Sequence, residues 1–106
     1  MMVNKDQLLA VLAHHIGITN GIGVKQLALQ LEIEERFVRT LVSELREEGH
    51  AICAHPRTGY FIAQTQEEWA QTRQFIINRS MHGLRWVSRV DKIALPDLLN
   101  QMRLPT

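Results

Sequence analysis

The sequence predicts a mainly α chain with one small β-hairpin in its middle and a long helix after it. Three observations predict this. Apolar residues recur at helical spacing in three separate stretches before Gly49. A Pro56-Arg57-Thr58-Gly59 turn stands between two short β-compatible runs. No strong helix breaker separates Thr65 from Pro96.

Each element follows from local chemistry. Asn4 is a good N-cap for a first helix, and Gln7 stands three residues on, as a capping box requires. Leu8, Leu9, Leu12, Ala13 and Ile16 then keep helical spacing. Gly17, Gly21 and Gly23 end that run, with Asn20-Gly21 as a turn and Ile22 in a short extended piece. A second helix opens near Val24, where Val24, Leu27, Ala28 and Leu31 make one apolar stripe. Glu32, Ile33 and Glu34 form a tight connection. A third helix runs from about Glu35 to Glu48, with Phe37, Val38, Leu41, Val42 and Leu45 inward and Gly49 as its stop. His50–His55 and Tyr60–Ala63 are the hairpin strands. Thr65 with Glu68 reads as a second capping box and opens the long helix, expected to reach Lys92. Pro96 begins a last short helix, Pro96 to Met102.

The chain has 106 residues, 45% hydrophobic, enough for one compact core and little more. No apolar run approaches a bilayer span, and charged and polar residues break up the N-terminal stretch, so neither a membrane helix nor a signal peptide is expected. The single cysteine, Cys53, excludes an intrachain disulfide and suits a reducing cytoplasm. Net charge is only +1. It divides unevenly: residues 1–63 hold six Lys/Arg and seven Asp/Glu, whereas residues 64–106 hold six and four. Affinity for a polyanion would therefore have to come from local clusters.

Val24 to Gly49 has what a helix-turn-helix needs: a short connection, apolar inner faces and a polar outer face on the second helix. On that outer face Arg36, Arg39, Thr40 and Ser43 lie opposite Phe37, Leu41 and Leu45. An arginine can fork onto guanine, and a hydroxyl can reach a base edge or a phosphate. Arg57, at the hairpin tip, suits a minor groove or a backbone phosphate. Gly59 is expected at positive φ, with Tyr60 packing back on the core.

The segment VKQLALQLEIEERFVRTLVSELREEGHAICAHPRTGYFI resembles the winged-helix DNA-binding domain at the N-terminus of the bacterial biotin-operon repressor. The apolar positions, Gly49, Pro56 and Gly59-Tyr60 fall in register without a gap, from about Gln7 to Ile62. The repressor's ligase domain has no room in this length, so the resemblance implies no ligase activity. The tail, with MHGLRWVSRV and LPDLLNQMRLPT, is similar to small winged-helix proteins of Gram-negative prophages. Together these imply a winged helix-turn-helix domain over residues 1–63. Residues 64–106 then form a long helix plus a short C-terminal one, serving as a dimerisation element. The expectation is a cytoplasmic, non-enzymatic, sequence-specific double-stranded DNA-binding protein, a regulator of transcription or replication of phage or prophage type. The alternative is a winged-helix protein-interaction adaptor that does not bind DNA. Glu34 stands where such a helix usually opens with Ser or Thr, and Glu44 and Glu47 flank the reading face.

Other constellations are weaker. His50, Cys53 and His55 fall short of the four ligands of a structural zinc site, and Cys53 has no base in sequence pattern. His14-His15 suits a helix end. The three early glycines lack the G-K-[ST] of a phosphate loop. No metal or cofactor is expected. On the long helix, Trp69, Ile76, Leu84 and Val87 form one apolar stripe, with Ser80 and Gly83 beside them. Phe75, Trp86 and Ile93 form another, expected to meet a second copy of the chain in a homodimer. His82, Arg85, Arg89 and Lys92 occupy the polar side.

Overall fold

A computed structural model describes residues 3–102. The elements run α1 (Lys5–Leu12), a 3-10 turn (Ile18–Asn20), α2 (Val24–Leu31), α3 (Glu35–Glu47), β1 (Ile52–His55), β2 (Gly59–Ile62), α4 (Gln66–Asp91) and α5 (Leu95–Gln101). The class is the expected one: five helices, a two-stranded antiparallel hairpin and a long helix after it. The chain divides into two compact units between Thr72 and Arg73, so the first seven residues of α4 belong with the hairpin.

In the first unit the Asn4–Gln7 capping box is present in both directions, at 3.1 and 2.9 Å. Helix α1 is nevertheless shorter than the apolar spacing predicts. It stops at Leu12, and Ile16 leaves the helix to bridge Ile62 with its side chain exposed. Asn20 closes the following turn by donating to the His14 carbonyl, and its own carbonyl lies 2.9 Å from His15 Nδ1. Both histidines lie at the end of α1, as expected, their amides donating to the carbonyls of Val11 and Leu12 at 3.1 and 2.8 Å, and they also flank this loop closure.

The core joins Leu8 and Leu12 of α1, Leu27 of α2, Val38, Leu41, Val42 and Leu45 of α3, and Ile52 of β1. These apolar residues recur three and four apart on each helix, which is why three short helices can share one interior. Ile22, in the extended piece before α2, exchanges two backbone hydrogen bonds with Tyr60, each 2.8 Å. Gly17 and His15 likewise hold Ile62. The hairpin is therefore stitched to segments on either side of the 3-10 turn as well as to itself.

In the second unit α4 runs on to Asp91, giving the helix a total length of about 39 Å at 1.5 Å per residue. Lys92 then turns into the left-handed region at φ 57° and ends it. Ala94 is the N-cap of α5, which starts one residue before Pro96, and Leu98 is buried. Of the α4 side chains here, Ile77, Met81, Leu84 and Ser88 are half-buried, spaced four, three and four apart. They define the covered face.

Candidate nucleic-acid interface

Helix α3 is positioned at both ends. At its start, α2 ends on Glu32, whose φ of 56° and ψ of 44° place a non-glycine residue in the left-handed conformation. That single residue turns the chain sharply, and the Ile33 amide returns to the Ala28 carbonyl at 3.0 Å. Glu34 then occupies the N-cap with extended backbone and makes no side-chain cap. At the far end Gly49 takes φ 97°, and Arg46 Nε donates to the Ile52 carbonyl at 2.9 Å, tying α3 to β1. Lys5 pairs with Glu48, tying α3 to α1. The hydrogen-bonded Glu48 carboxylate raises the Lys5 pKa above its ordinary value.

With the helix so fixed, its two faces separate cleanly. Val38, Leu41, Val42 and Leu45 are buried and Phe37 is half-buried. Arg36, Arg39, Thr40 and Ser43 are all exposed and lie together on the opposite side. The Arg36 guanidinium stands 4.0 Å from the Glu34 carboxylate and is almost fully in solvent. At that exposure the pair adds little stability and leaves the guanidinium free to turn to a ligand. Thr40 donates its hydroxyl to the Arg36 carbonyl at 3.3 Å, leaving its lone pairs available as acceptors. Glu47 lies one turn beyond Ser43 on the same face and Arg46 is half-buried against β1, so the exposed arginines of α3 are in its N-terminal half.

Arg57 is exposed in the hairpin turn. Its amide donates to His55 Nδ1 at 3.1 Å, which fixes the turn and requires that nitrogen to be unprotonated. Gly59 has φ 87°, as expected, and a second constraint that the sequence does not show. A Cβ there would stand 2.3 Å from the Ile22 carbonyl oxygen. Gly21 is constrained from the other side, its Cβ position lying 2.3 Å from the Thr58 carbonyl oxygen. The two glycines let the hairpin lie directly on the chain entering α2, fixing the turn that carries Arg57 relative to that chain.

The hairpin is also held from α4. The Glu68 amide donates to Thr65 Oγ1 at 3.1 Å, half of the expected capping box. The Glu68 carboxylate departs from that box. Its oxygens accept from Gln64 N at 2.8 Å and from Ile18 N at 3.0 Å. The open amide at the start of the 3-10 turn is what draws it across. Those two bonds, the Gln64 one foremost, hold the Glu68 pKa below the ordinary carboxylate range. Cys53 is buried on the face of β1 opposite to that of core residue Ile52, its Sγ 3.9 Å from the carbonyls of Ala51 and Glu68. Burial pushes its thiol pKa up, which disfavours the nucleophilic thiolate. Among the described residues no three His, Cys, Asp or Glu side chains gather as a metal site would need.

An open groove of about 1140 Å³ runs between α2 and the start of α3, lined by Lys25, Leu29, Arg36 and Arg39 together with Glu32, Glu34 and Glu35. Leu29 on its edge is 78% exposed. It falls outside the apolar stripe of α2, so no spacing rule singles it out.

The expected α4 stripes are rearranged. Ile93 lies beyond the helix end, half-buried, with its amide donating to the Ser88 carbonyl at 3.1 Å and its carbonyl accepting from the Ser88 hydroxyl. It is therefore not on the stripe of Phe75 and Trp86, because Lys92 breaks the periodicity first. Leu84 belongs with the covered face, whereas Ile76, Val87 and Val90 join Phe75 and Trp86 among the exposed side chains.

Comparison of the chain with protein families, curated proteins and solved structures gives no match. No described helix is long and apolar enough to cross a membrane.

Proposed function

We propose that the chain is a sequence-specific double-stranded DNA-binding protein, a winged helix-turn-helix regulator of transcription or replication of phage or prophage type. The observation that carries this reading is the clean division of α3. Its buried face is wholly apolar, and Arg36, Arg39, Thr40 and Ser43 share an exposed face on the second of two helices joined by a sharp turn, the arrangement a helix-turn-helix needs. In this reading the N-terminal half of α3 enters the major groove, where Arg36 and Arg39 fork onto base edges. Arg57 contacts the backbone or the adjacent minor groove. Such a protein works in the cytoplasm, needs no cofactor and catalyses nothing.

The test is a fluorescence titration with duplex DNA at two salt concentrations. Arg36→Ala and Arg39→Ala are each expected to weaken binding by about 1–3 kcal/mol. Unchanged curves for both variants, with helical circular dichroism intact, would take DNA reading away from α3.

A second reading, a protein-interaction adaptor, is favoured by one observation. Exposed Leu29 beside Glu32, Glu34 and Glu35 offers an apolar anchor rimmed by carboxylates, which repel phosphate. Absence of salt-dependent binding to any duplex would favour this reading.

A further inference from the structure

We infer that α4 pairs with α4 of a second copy of the chain, antiparallel, in a register centred on Met81. This inference is independent of DNA binding.

The evidence begins with exposure. Phe75 and Trp86 are 65% and 69% exposed, and Ile76, Val87 and Val90 are exposed beside them. All five lie away from the half-buried face of Ile77, Met81, Leu84 and Ser88. Isolated apolar side chains on a surface are ordinary, but five in one sector of one helix mark an interface.

The spacing then identifies the occupant. Ile76, Trp86 and Val90 fall at core positions of one coiled-coil heptad frame, in which Arg79 and Gly83 take the two core positions between them. Phe75, His82 and Arg89 flank the seam on one side, with Arg73, Ser80 and Val87 on the other. A seam of this period is built to be met by another helix.

Two seam positions are not apolar, and they settle the direction. In a parallel pair, Arg79 would face the partner's Arg79, two like charges in one layer, and Gly83 would face the partner's Gly83 across a gap. In the antiparallel pair centred on Met81, each Arg79 lies over the partner's Gly83. The glycine leaves the notch that the aliphatic stem of the arginine fills, while the guanidinium reaches out to water. The same register places Ile76 against the partner's Trp86 and Phe75 beside the partner's Arg89, a cation–π arrangement. A polar residue in a seam that is tolerated in only one register is a recognised way of specifying orientation.

The test uses the full chain. Sedimentation at micromolar concentration is expected to give a dimer. Trp86→Glu is expected to weaken association at least about thirtyfold, the loss of a central aromatic anchor, with its helical circular dichroism unchanged. Gly83→Leu is expected to weaken association as well. A Cβ at position 83 meets nothing within 4 Å in the single chain and Gly83 is exposed, so that variant is expected to leave the fold intact, checked by circular dichroism. Register is read by cross-linking with a short bismaleimide. In the proposed pair, His82→Cys lies near its own copy, whereas Val90→Cys stands about 27 Å along the axis from its counterpart. Linked dimer from His82→Cys and none from Val90→Cys supports the proposal, with the wild-type chain and its buried Cys53 as the blank. A monomeric wild type overturns it. Equal linking at both positions overturns it in favour of a parallel pair. A monomer that binds a single-stranded oligonucleotide through Trp86 overturns it too and assigns the face to stacked bases.

Discussion

Thr58 and Gly59 are adjacent and respond oppositely to the same replacement. Gly59 has a positive φ and backbone where its Cβ would be, so Gly59→Val is expected to cost at least about 3 kcal/mol. Thr58 Oγ1 is buried without a hydrogen-bond partner among the described residues. Valine there keeps the shape and removes the unsatisfied hydroxyl, so Thr58→Val is expected to be neutral or stabilising by up to about 1 kcal/mol. Thermal melts of the two variants check both. The turn chemistry around Gly59 was legible in the sequence, whereas its contact with Ile22 was not, because nothing local records what lies across the fold. Glu68 shows the same limit. Its place in a T-x-x-E motif predicts a local cap, yet the open Ile18 amide draws its carboxylate to another element. Its folded pKa is depressed, so the stability it contributes is full above the ordinary glutamate value of about 4.3 and is lost as pH falls through the lower folded value. Melting temperature should therefore drop more steeply on acidification below about pH 4.5 in the wild type than in Glu68→Gln.

At the scale of elements, strong periodicity was a reliable guide. Helices α2 and α3 lie where Val24–Leu31 and Phe37–Leu45 place them, since each carries an unbroken apolar stripe. Misplaced ends share one cause. Helix α1 ends at Leu12 although Ile16 continues its spacing, because the backbone around Ile16 is claimed by Ile62. Helix α4 ends before Ile93 because Lys92 goes left-handed, and a lysine carries no signal for that. Likewise Glu32 supplies the turn between α2 and α3 from a conformation that costs a non-glycine residue about 1–2 kcal/mol. Glu32→Gly should raise stability by about 0.5–1 kcal/mol, part of that gain being offset by the freer unfolded chain. Chemical denaturation with an unchanged slope would record it. The candidate reading face on α3 was legible because both its faces obey one period. Leu29 and the exposed sector of α4 were less so, because which apolar side chain stays uncovered depends on packing.

At the scale of the whole molecule, charge follows the two units more sharply than it follows the sequence division at residue 63. Residues 1–72 hold six Lys/Arg against nine Asp/Glu, and residues 73–106 hold six against two. The candidate reading face thus belongs to a net-acidic unit, and in the proposed DNA-binding reading its affinity rests on placed contacts. In that reading the basic residues of 73–106 would supply the long-range attraction. The units also predict where the chain can be cut. A fragment ending at Gln64 keeps the hairpin but loses Glu68 and Thr72, whereas one ending at Thr72 keeps both. The shorter fragment should melt roughly 5 °C or more below the longer, measured by circular dichroism.

The bond from Glu68 to Ile18 has a consequence for how the chain is made. Synthesis runs from the N-terminus, so α1, the 3-10 turn, α2 and α3 all leave the ribosome before their last partners exist. Ile16 and Ile22 wait for the hairpin, and the Ile18 amide waits longest, for a carboxylate in the first turn of α4. Until Glu68 emerges, the nascent chain holds an apolar core with an open edge. Closure of the first unit is therefore a late event in translation. A ribosome stalled just after the hairpin should display a protease-sensitive chain, and one stalled well beyond α4 a protected one.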